Sequence, residues 1–329
     1  MVLKNLFTKH HSVPLFEGSG SWRHRDVPLW KLALKGGKRA VREVGRFGEI
    51  DEFVQFIGFP RSGHSLVGSI IDAHPRAVVS HELDTMGLIK HGFPEQLLYA
   101  LILRNSAAFT RNDRYWNGFS YVVPGQYNGR ADPLRVVGDK KGDWAVRWCE
   151  KTPGLLETAY RSVSAGCRWV LVTRNPLDNI ATMSLRKGGT YDELRIASNS
   201  SGEFRDALRT HQERGEISTE ARDDMIADYE GLCETIHRMR TTIPDDDQSH
   251  LQYERFCSDP EEGVRGLCRF LGVPEAGDYV SSCASIVKSS SHKSRNRVTW
   301  TQGQLGRVER LARRFPFLQC YVDRLRVGA

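Results

Sequence analysis

The chain has 329 residues, of which 40% are hydrophobic and 26% charged, with a net charge of +7. That length buries one large α/β core without requiring a second domain, and the ordinary composition excludes a fibrous or disordered class. No apolar run reaches the ~18 residues of a membrane-spanning helix, and the opening MVLKNLFTKHHSVPLF lacks the apolar core of a signal peptide, so a cytoplasmic protein is expected.

Charge is concentrated at the start. Residues 1–50 hold ten Lys and Arg against four Asp and Glu, a net +6. They read as a basic N-terminal extension ahead of an α/β domain over residues 51–329. A solvated arm and helix is one reading of this segment; binding to nucleic acid or acidic lipid is the other. Residues 1 to about 20 read as a loosely ordered arm. Trp30 to Val44 reads as a helix interrupted at Gly36-Gly37. The seven cysteines show no CxxC spacing, so the sequence indicates neither a zinc site nor a disulfide framework.

Phe53 to Ile57 is a short apolar run bounded by Gly58 and Pro60, the pattern of a buried strand. The loop Gly58-Phe59-Pro60-Arg61-Ser62-Gly63 follows, and Ser65 to Asp72 has helical periodicity. Strand, glycine-bounded loop and helix wrap backbone N–H groups around a phosphate at a positive helix terminus. The spacing is close to a nucleotide-triphosphate P-loop, but His64 stands where such enzymes need a lysine on the β- and γ-phosphates. Here the fixed charge comes earlier, on Arg61. A short strand, Ala77 to Val79, then delivers Ser80-His81-Glu82 to a strand's carboxyl end, where open parallel sheets carry their chemistry.

PRSG-x-S-L, then DAHP, then Glu82 resembles the 5′-phosphosulfate loop of sulfotransferases that use 3′-phosphoadenosine 5′-phosphosulfate (PAPS). Within that superfamily the stretch is most similar to the tyrosylprotein sulfotransferases and their bacterial relatives. The resemblance implies that Arg61, Ser62, Gly63, His64 and Ser65 hold the 5′-phosphosulfate. It implies that Glu82 is the general base, with His81 as its rival because the cytosolic enzymes use histidine. Strand alternation lets only one of that pair face the site. The tyrosylprotein enzymes are anchored in secretory membranes and this chain has no such segment, which argues against a protein-tyrosine acceptor.

Phe93 to Phe109 reads as a helix, and the aromatic, glycine-rich stretch Asn112 to Gly129 as either an acceptor wall or core packing. Arg135 to Lys141 reads as a strand ending in cations. The family places a sulfuryl-contacting lysine there, which matches Lys140, with Lys141 and Lys151 as alternates. Arg168 to Thr173 is a second clear buried strand, running into Arg174-Asn175-Pro176. This resembles the family's 3′-phosphate segment and assigns Arg174, Thr182 and Arg186 to that phosphate. Glu203 to Arg214 and Thr219 to Arg240 read as bracing helices. Tyr253, after a last short strand, matches the family's adenine contact or packs in the core. Ser289 to Arg297 matches a basic loop closing over nucleotide, with Arg295 as the candidate cation and Lys293 beside it.

The expected fold is α/β and three-layered, with a mostly parallel central sheet between helices, in the P-loop-like sulfotransferase manner. The expected reaction is in-line transfer of a sulfuryl group from PAPS to a hydroxyl or amine acceptor, without a required metal, releasing adenosine 3′,5′-bisphosphate. Glu82, Arg61 and Lys140 would be catalytic. The rival readings are a P-loop kinase and a non-catalytic nucleotide- or polyanion-binding module. The expected partners are the nucleotide donor and an unidentified acceptor rather than nucleic acid, and a homodimer stays open.

Overall fold

The computed structural model describes residues 9–16, 22–116, 119–187, 189–198, 201–217 and 219–325. It begins with a hairpin, β1 (His10–Phe16) paired antiparallel with β2 (Trp22–Pro28). The arm expected over residues 1–20 is therefore a strand where it is described; residues 1–8 and 17–20 lie outside the described residues. Val13 and Val27 are buried in the main core, and His11 Nε2 lies 3.0 Å from the Leu83 carbonyl, fixing the hairpin to the segment that follows residues 77–80.

Helix α1 (Leu29–Phe47) runs unbroken through Gly36-Gly37. Glycine costs a helix about 1 kcal/mol relative to alanine, but packing overrides that preference here. A Cβ on Gly36 would stand 3.3 Å from Leu101 Cγ, so the missing side chain lets α1 lie close against its neighbour.

In chain order there follow β3 (Glu52–Gly58), α2 (His64–Asp72), β4 (Ala77–Ser80), α3 (Thr85–Lys90) and α4 (Glu95–Arg111). Next come a short antiparallel pair, β5 (Tyr115–Trp116) and β6 (Phe119–Ser120), then β7 (Val136–Asp139), α5 (Gly142–Lys151), α6 (Leu155–Ser162) and β8 (Gly166–Thr173). The remainder is helical except for one strand: α7 (Pro176–Arg186), α8 (Thr190–Ala197), α9 (Ser201–Glu213), α10 (Asp223–Thr242), β9 (Gln248–Gln252), α11 (Tyr253–Ser258), α12 (Pro260–Phe270), α13 (Gly277–Ser285) and α14 (Gln302–Arg314).

The central sheet has the order β4-β7-β3-β8-β9 with every pairing parallel. Alternation along β3 sends Phe53 and Ile57 into one core with Val137 and Leu171, and Val54 and Phe56 into another with Val79 and Val172. A central parallel strand is covered on both faces, and this one reads as a nearly continuous apolar run for that reason. From β3 the chain goes to β4 and β7 on one side and to β8 and β9 on the other. The strand order thus reverses at the carboxyl end of β3, where open α/β sheets form their binding crevice.

One helix starts later than its pattern suggests. Thr219 to Ala221 pair with Thr299 instead, through Thr299 N–H to the Thr219 carbonyl at 2.6 Å and Ala221 N–H to the Thr299 carbonyl at 2.9 Å.

Candidate active site

A cleft of about 520 Å³ opens at the carboxyl end of β3. Its floor is the loop between β3 and α2, where Arg61 (φ 71°) and Gly63 (φ 103°) both turn left-handed so that the chain can enter α2 at His64. The first N–H groups of a helix have no intrahelical acceptor, so this terminus presents amides and partial positive charge to the cleft. Arg61, Gly63, His64 and Ser65 line the cleft; Ser62 is fully buried, its hydroxyl 3.3 Å from His64 Nδ1.

Glu82 stands at the rim of the loop on a turn just beyond β4, at φ 62°. Its two carboxylate oxygens meet two ammonium groups, Oε1 with Lys140 and Oε2 with Lys141 at 2.6 Å. Lys140 also donates to Ser65 Oγ at 2.8 Å, so one buried lysine joins the phosphate loop to Glu82. Burial alone would raise the Glu82 carboxyl, but Lys140 and then Lys141 outweigh it and hold the group well below the usual carboxylate range. Lys141 is raised in turn: burial opposes its charge, while Glu82 and Asp143 favour it. Of the three lysines only Lys141 lines the cleft: Lys140 is buried beneath it, and Lys151, exposed at the end of α5, lies 5.8 Å from the ring of the lining residue Trp144 without lining the cleft itself.

The turn that carries Glu82 is held by Asp139 at the end of β7. Its buried carboxylate accepts from Ser80 Oγ at 2.9 Å and from the N–H groups of Leu83 at 3.1 Å and Thr85 at 3.0 Å. Burial raises Asp139 to about 6 in spite of those bonds. His81 points the other way. Its ring stacks on Phe109 at 4.0 Å and edges Trp116 at 4.6 Å, and burial pushes its pKa far below 6.5.

A second part of the cleft lining is built at the β8–α7 junction, next to the loop. Asn175 caps α7 by accepting from Leu177 N–H at 3.1 Å, and Pro176 occupies the first turn, where its missing N–H costs nothing. Arg174 and Thr182, eight residues apart, are brought to 3.4 Å between Nη1 and Oγ1. Arg174 also reaches the Arg61 carbonyl at 3.5 Å, Ser294 Oγ at 3.4 Å and the His292 carbonyl, linking three segments around the cleft. Arg186 lines the cleft further along α7 and pairs with Asp192 of α8, which also lies 3.7 Å from Arg61.

Tyr253 lines the cleft at the start of α11, directly against Gly63. Arg295 does not. Its guanidinium bonds the Arg324 carbonyl at 2.9 Å and lies 3.8 Å from Asp178, whose Oδ1 accepts the Arg295 N–H at 2.9 Å. The residues of that segment that face the cleft are Ser290, His292, Ser294 and Arg297, so the cation there is Arg297 and not Arg295. Lys293 is exposed and absent from the lining.

The aromatic stretch read as either acceptor wall or core packing supplies part of the wall. Trp116, Phe119 and Tyr121 of the aromatic stretch form one side, whereas Tyr127 is 46% exposed elsewhere. Asp143 and Trp144 of α5 and Tyr191 and Phe204 of α8 and α9 complete the wall. An earlier signal for Asp143 was available: it falls in the first turn of a helix that begins at a strand's carboxyl end.

The sulfotransferase family model matches residues 54–277, more than half of the chain. The chain belongs to the sulfotransferase family. The match spans the loop, Glu82, Lys140, and the Arg174–Thr182 pair, and ends before Arg297. Among solved structures the chain is similar to a sulfotransferase from Alicyclobacillus acidocaldarius (18% identity, 83% of this chain and 96% of that one, TM-score 0.41). It is also similar to the sulfotransferase domain of the curacin biosynthetic pathway (12%, 81% and 98%, 0.42) and to mouse sulfotransferase SULT7A1 complexed with PAP (12%, 89% and 94%, 0.37). None of the curated proteins matches the chain. Membership in the family rests on the family match.

Proposed function

We propose that this sulfotransferase transfers the sulfuryl group of PAPS to a hydroxyl or amine acceptor, with Glu82 taking the acceptor's proton. The observation that carries the reading is the carboxylate of Glu82 bound between Lys140 and Lys141 at the rim of a phosphate-type loop. The Arg174–Thr182 pair lines the same cleft. The loop fits a phosphosulfate: it offers helix-terminal amides at the start of α2 and the cation of Arg61 beside them. Arg174 and Thr182 fit a second, separate phosphate, which suits a nucleotide with a 3′-phosphate.

PAPS, when bound, supplies an activated sulfuryl group on a phosphate leaving group. The chain supplies position and charge. Lys141, which lines the cleft, and the loop amides would stabilise negative charge on the sulfuryl oxygens and the departing phosphate, with Lys140 buried behind them between Ser65 and Glu82. A carboxylate held well below its usual pKa is a weak base, so the two lysines that keep Glu82 ionised also restrain it. A lysine drawn from Glu82 toward the sulfuryl group would restore the basicity of the carboxylate when donor is present. His81, stacked on Phe109 and edge-on to Trp116, is a packing residue in this reading.

Calorimetric titration with 3′-phosphoadenosine 5′-phosphate (PAP), ADP and ATP without magnesium tests the donor. Tight binding that requires the 3′-phosphate is expected. A preference for ATP with magnesium would overturn the reading and return the loop to phosphoryl transfer.

A further inference from the structure

Helix α1 presents to solvent a face that folding has not used. Its inner residues Leu29, Leu32, Gly36 and Phe47 are buried. Its outer face, at the spacing of one helical stripe, is Lys31, Leu34, Lys35, Lys38, Val41 and Arg42, with Val44 beside it, and every one is exposed. Leu34 is 59% exposed, Val41 79% and Val44 59%, half of the exposed large hydrophobic side chains among the described residues.

The cations on this face are not balanced. Glu43, the helix's acid, is met by Arg39 at 3.4 Å and Arg46 at 2.7 Å. Among the described residues no carboxylate pairs with Lys31, Lys35, Lys38 or Arg42. Arg104 on the neighbouring α4 and Arg25 on β2 add further positive charge beside Lys35, whose pKa is lowered by burial and by these neighbours.

We infer that the outer face of α1 docks the protein on an anionic lipid surface. Charge complementarity selects an anionic partner, and the aliphatic side chains between the cations select among anionic partners. A nucleic-acid backbone would satisfy the lysines and leave Leu34, Val41 and Val44 in water. A lipid interface takes both, with lysine heads at the phosphates and aliphatic groups at the acyl boundary. With about four cations and three aliphatic side chains the attachment is reversible and sensitive to salt.

Vesicle co-sedimentation of the full chain tests this, using phosphatidylcholine alone and phosphatidylcholine with about 30% phosphatidylserine. Partitioning at least about tenfold stronger into the anionic vesicles is expected, falling about tenfold as salt rises from about 0.05 M to about 0.5 M. The triple variant Leu34→Ser, Val41→Ser, Val44→Ser should lose about tenfold in partitioning at unchanged salt. Lys31→Glu with Lys38→Glu should abolish it. Both variants alter exposed side chains, so their melting temperatures and PAP affinity should match the parent, separating this result from the fate of the donor reading. No binding to anionic vesicles at low salt would overturn the inference. So would full binding by the triple serine variant, or quantitative release by an equal charge of duplex DNA, either of which would make the face a polyanion patch without lipid preference.

Discussion

The Tyr253 ring lies so close to Gly63 that a Cβ on residue 63 would stand 2.3 Å from Tyr253 Cδ2, at a backbone φ of 103°. Two separate costs meet at this position: a conformation that side chains resist, and a collision with a ring that itself lines the cleft. Gly63→Ala should therefore displace both the loop and Tyr253. The expected outcome is loss of PAP binding by calorimetry, at least about a hundredfold, with about 1–3 kcal/mol lost from stability. Near-parental PAP affinity in a folded Gly63→Ala protein would mean that the loop does not hold the nucleotide.

Asp192 contacts Arg186 and lies 3.7 Å from Arg61, so a carboxylate occupies the space between two cations of the cleft. An arriving phosphate meets that charge as a competitor and a source of repulsion. Asp192→Asn should tighten PAP binding about fivefold, equivalent to about 1 kcal/mol at a partly solvated pair. Asp192→Glu should stay near the parent. Weaker binding by the asparagine variant would show that the carboxylate supports the site rather than competing with its ligand.

The elements legible in the sequence were those whose chemistry is local. Phe53 to Gly63 announces strand and loop by composition, and Arg174 to Thr182 declares strand end, cap and helix within nine residues. Where the reading departed from the structure, the deciding contact was distant. Gly36 looks like a helix break until Leu101 of α4 is placed against it. The register of Ser289 to Arg297 is set by Asp178, more than a hundred residues earlier, which takes the Arg295 backbone N–H. Strand alternation is the ground for expecting His81 and Glu82 to part, but β4 ends at Ser80 and both stand on the turn beyond it, Glu82 at φ 62°, where alternation does not operate. Phe109 and Trp116 part them by enclosing the imidazole.

That register gives two arginines opposite consequences. Arg295 bonds the Arg324 carbonyl and neutralises the buried Asp178, whereas Arg297 faces the cleft. Arg295→Ala should cost about 1–3 kcal/mol in urea unfolding and leave PAP affinity within about threefold. Arg297→Ala should reverse the pattern, with parental stability and PAP binding weakened about tenfold. A matched pair of unfolding curves and titrations reads both, and identical behaviour of the two variants would sink the assignment.

His64 ties stability to pH. Its burial, with the charge of Lys140 nearby, lowers its pKa from 6.5 to about 3, so the folded protein keeps the imidazole neutral where the unfolded chain protonates it. The unfolded state then binds the extra proton, and stability falls as pH drops below about 6.5, by about 1.4 kcal/mol per unit from this group. Asp139 opposes it in part. Raised to about 6, it takes a proton in the folded state between that value and the ordinary 3.8, which favours folding as pH falls through the same window. His91 and His250, lowered by burial to about 4, and His81, pushed well below 6.5, act in the same direction as His64. His64→Asn should therefore remove one group's share of the acid slope, measured as melting temperature from about pH 7 to about pH 4. An unchanged slope would assign the acid sensitivity to other groups.

Glu82 separates binding from chemistry. Replacing it with glutamine keeps the shape of the side chain but leaves one acceptor oxygen where the carboxylate offered one to each of Lys140 and Lys141, and it removes the charge and the basicity. A positioned general base contributes about 10²–10⁴-fold, so Glu82→Gln should lower acceptor-dependent release of PAP from PAPS by that order. PAP affinity should hold or improve, because a negative charge beside the phosphosulfate loop has gone while Lys140 and Lys141 remain. Removing one partner of a buried pair also leaves charge behind, here on Lys140, and a stability loss of a few kcal/mol is expected. The assay therefore runs well below the variant's melting temperature. Turnover within about threefold of the parent would remove Glu82 from the role of base.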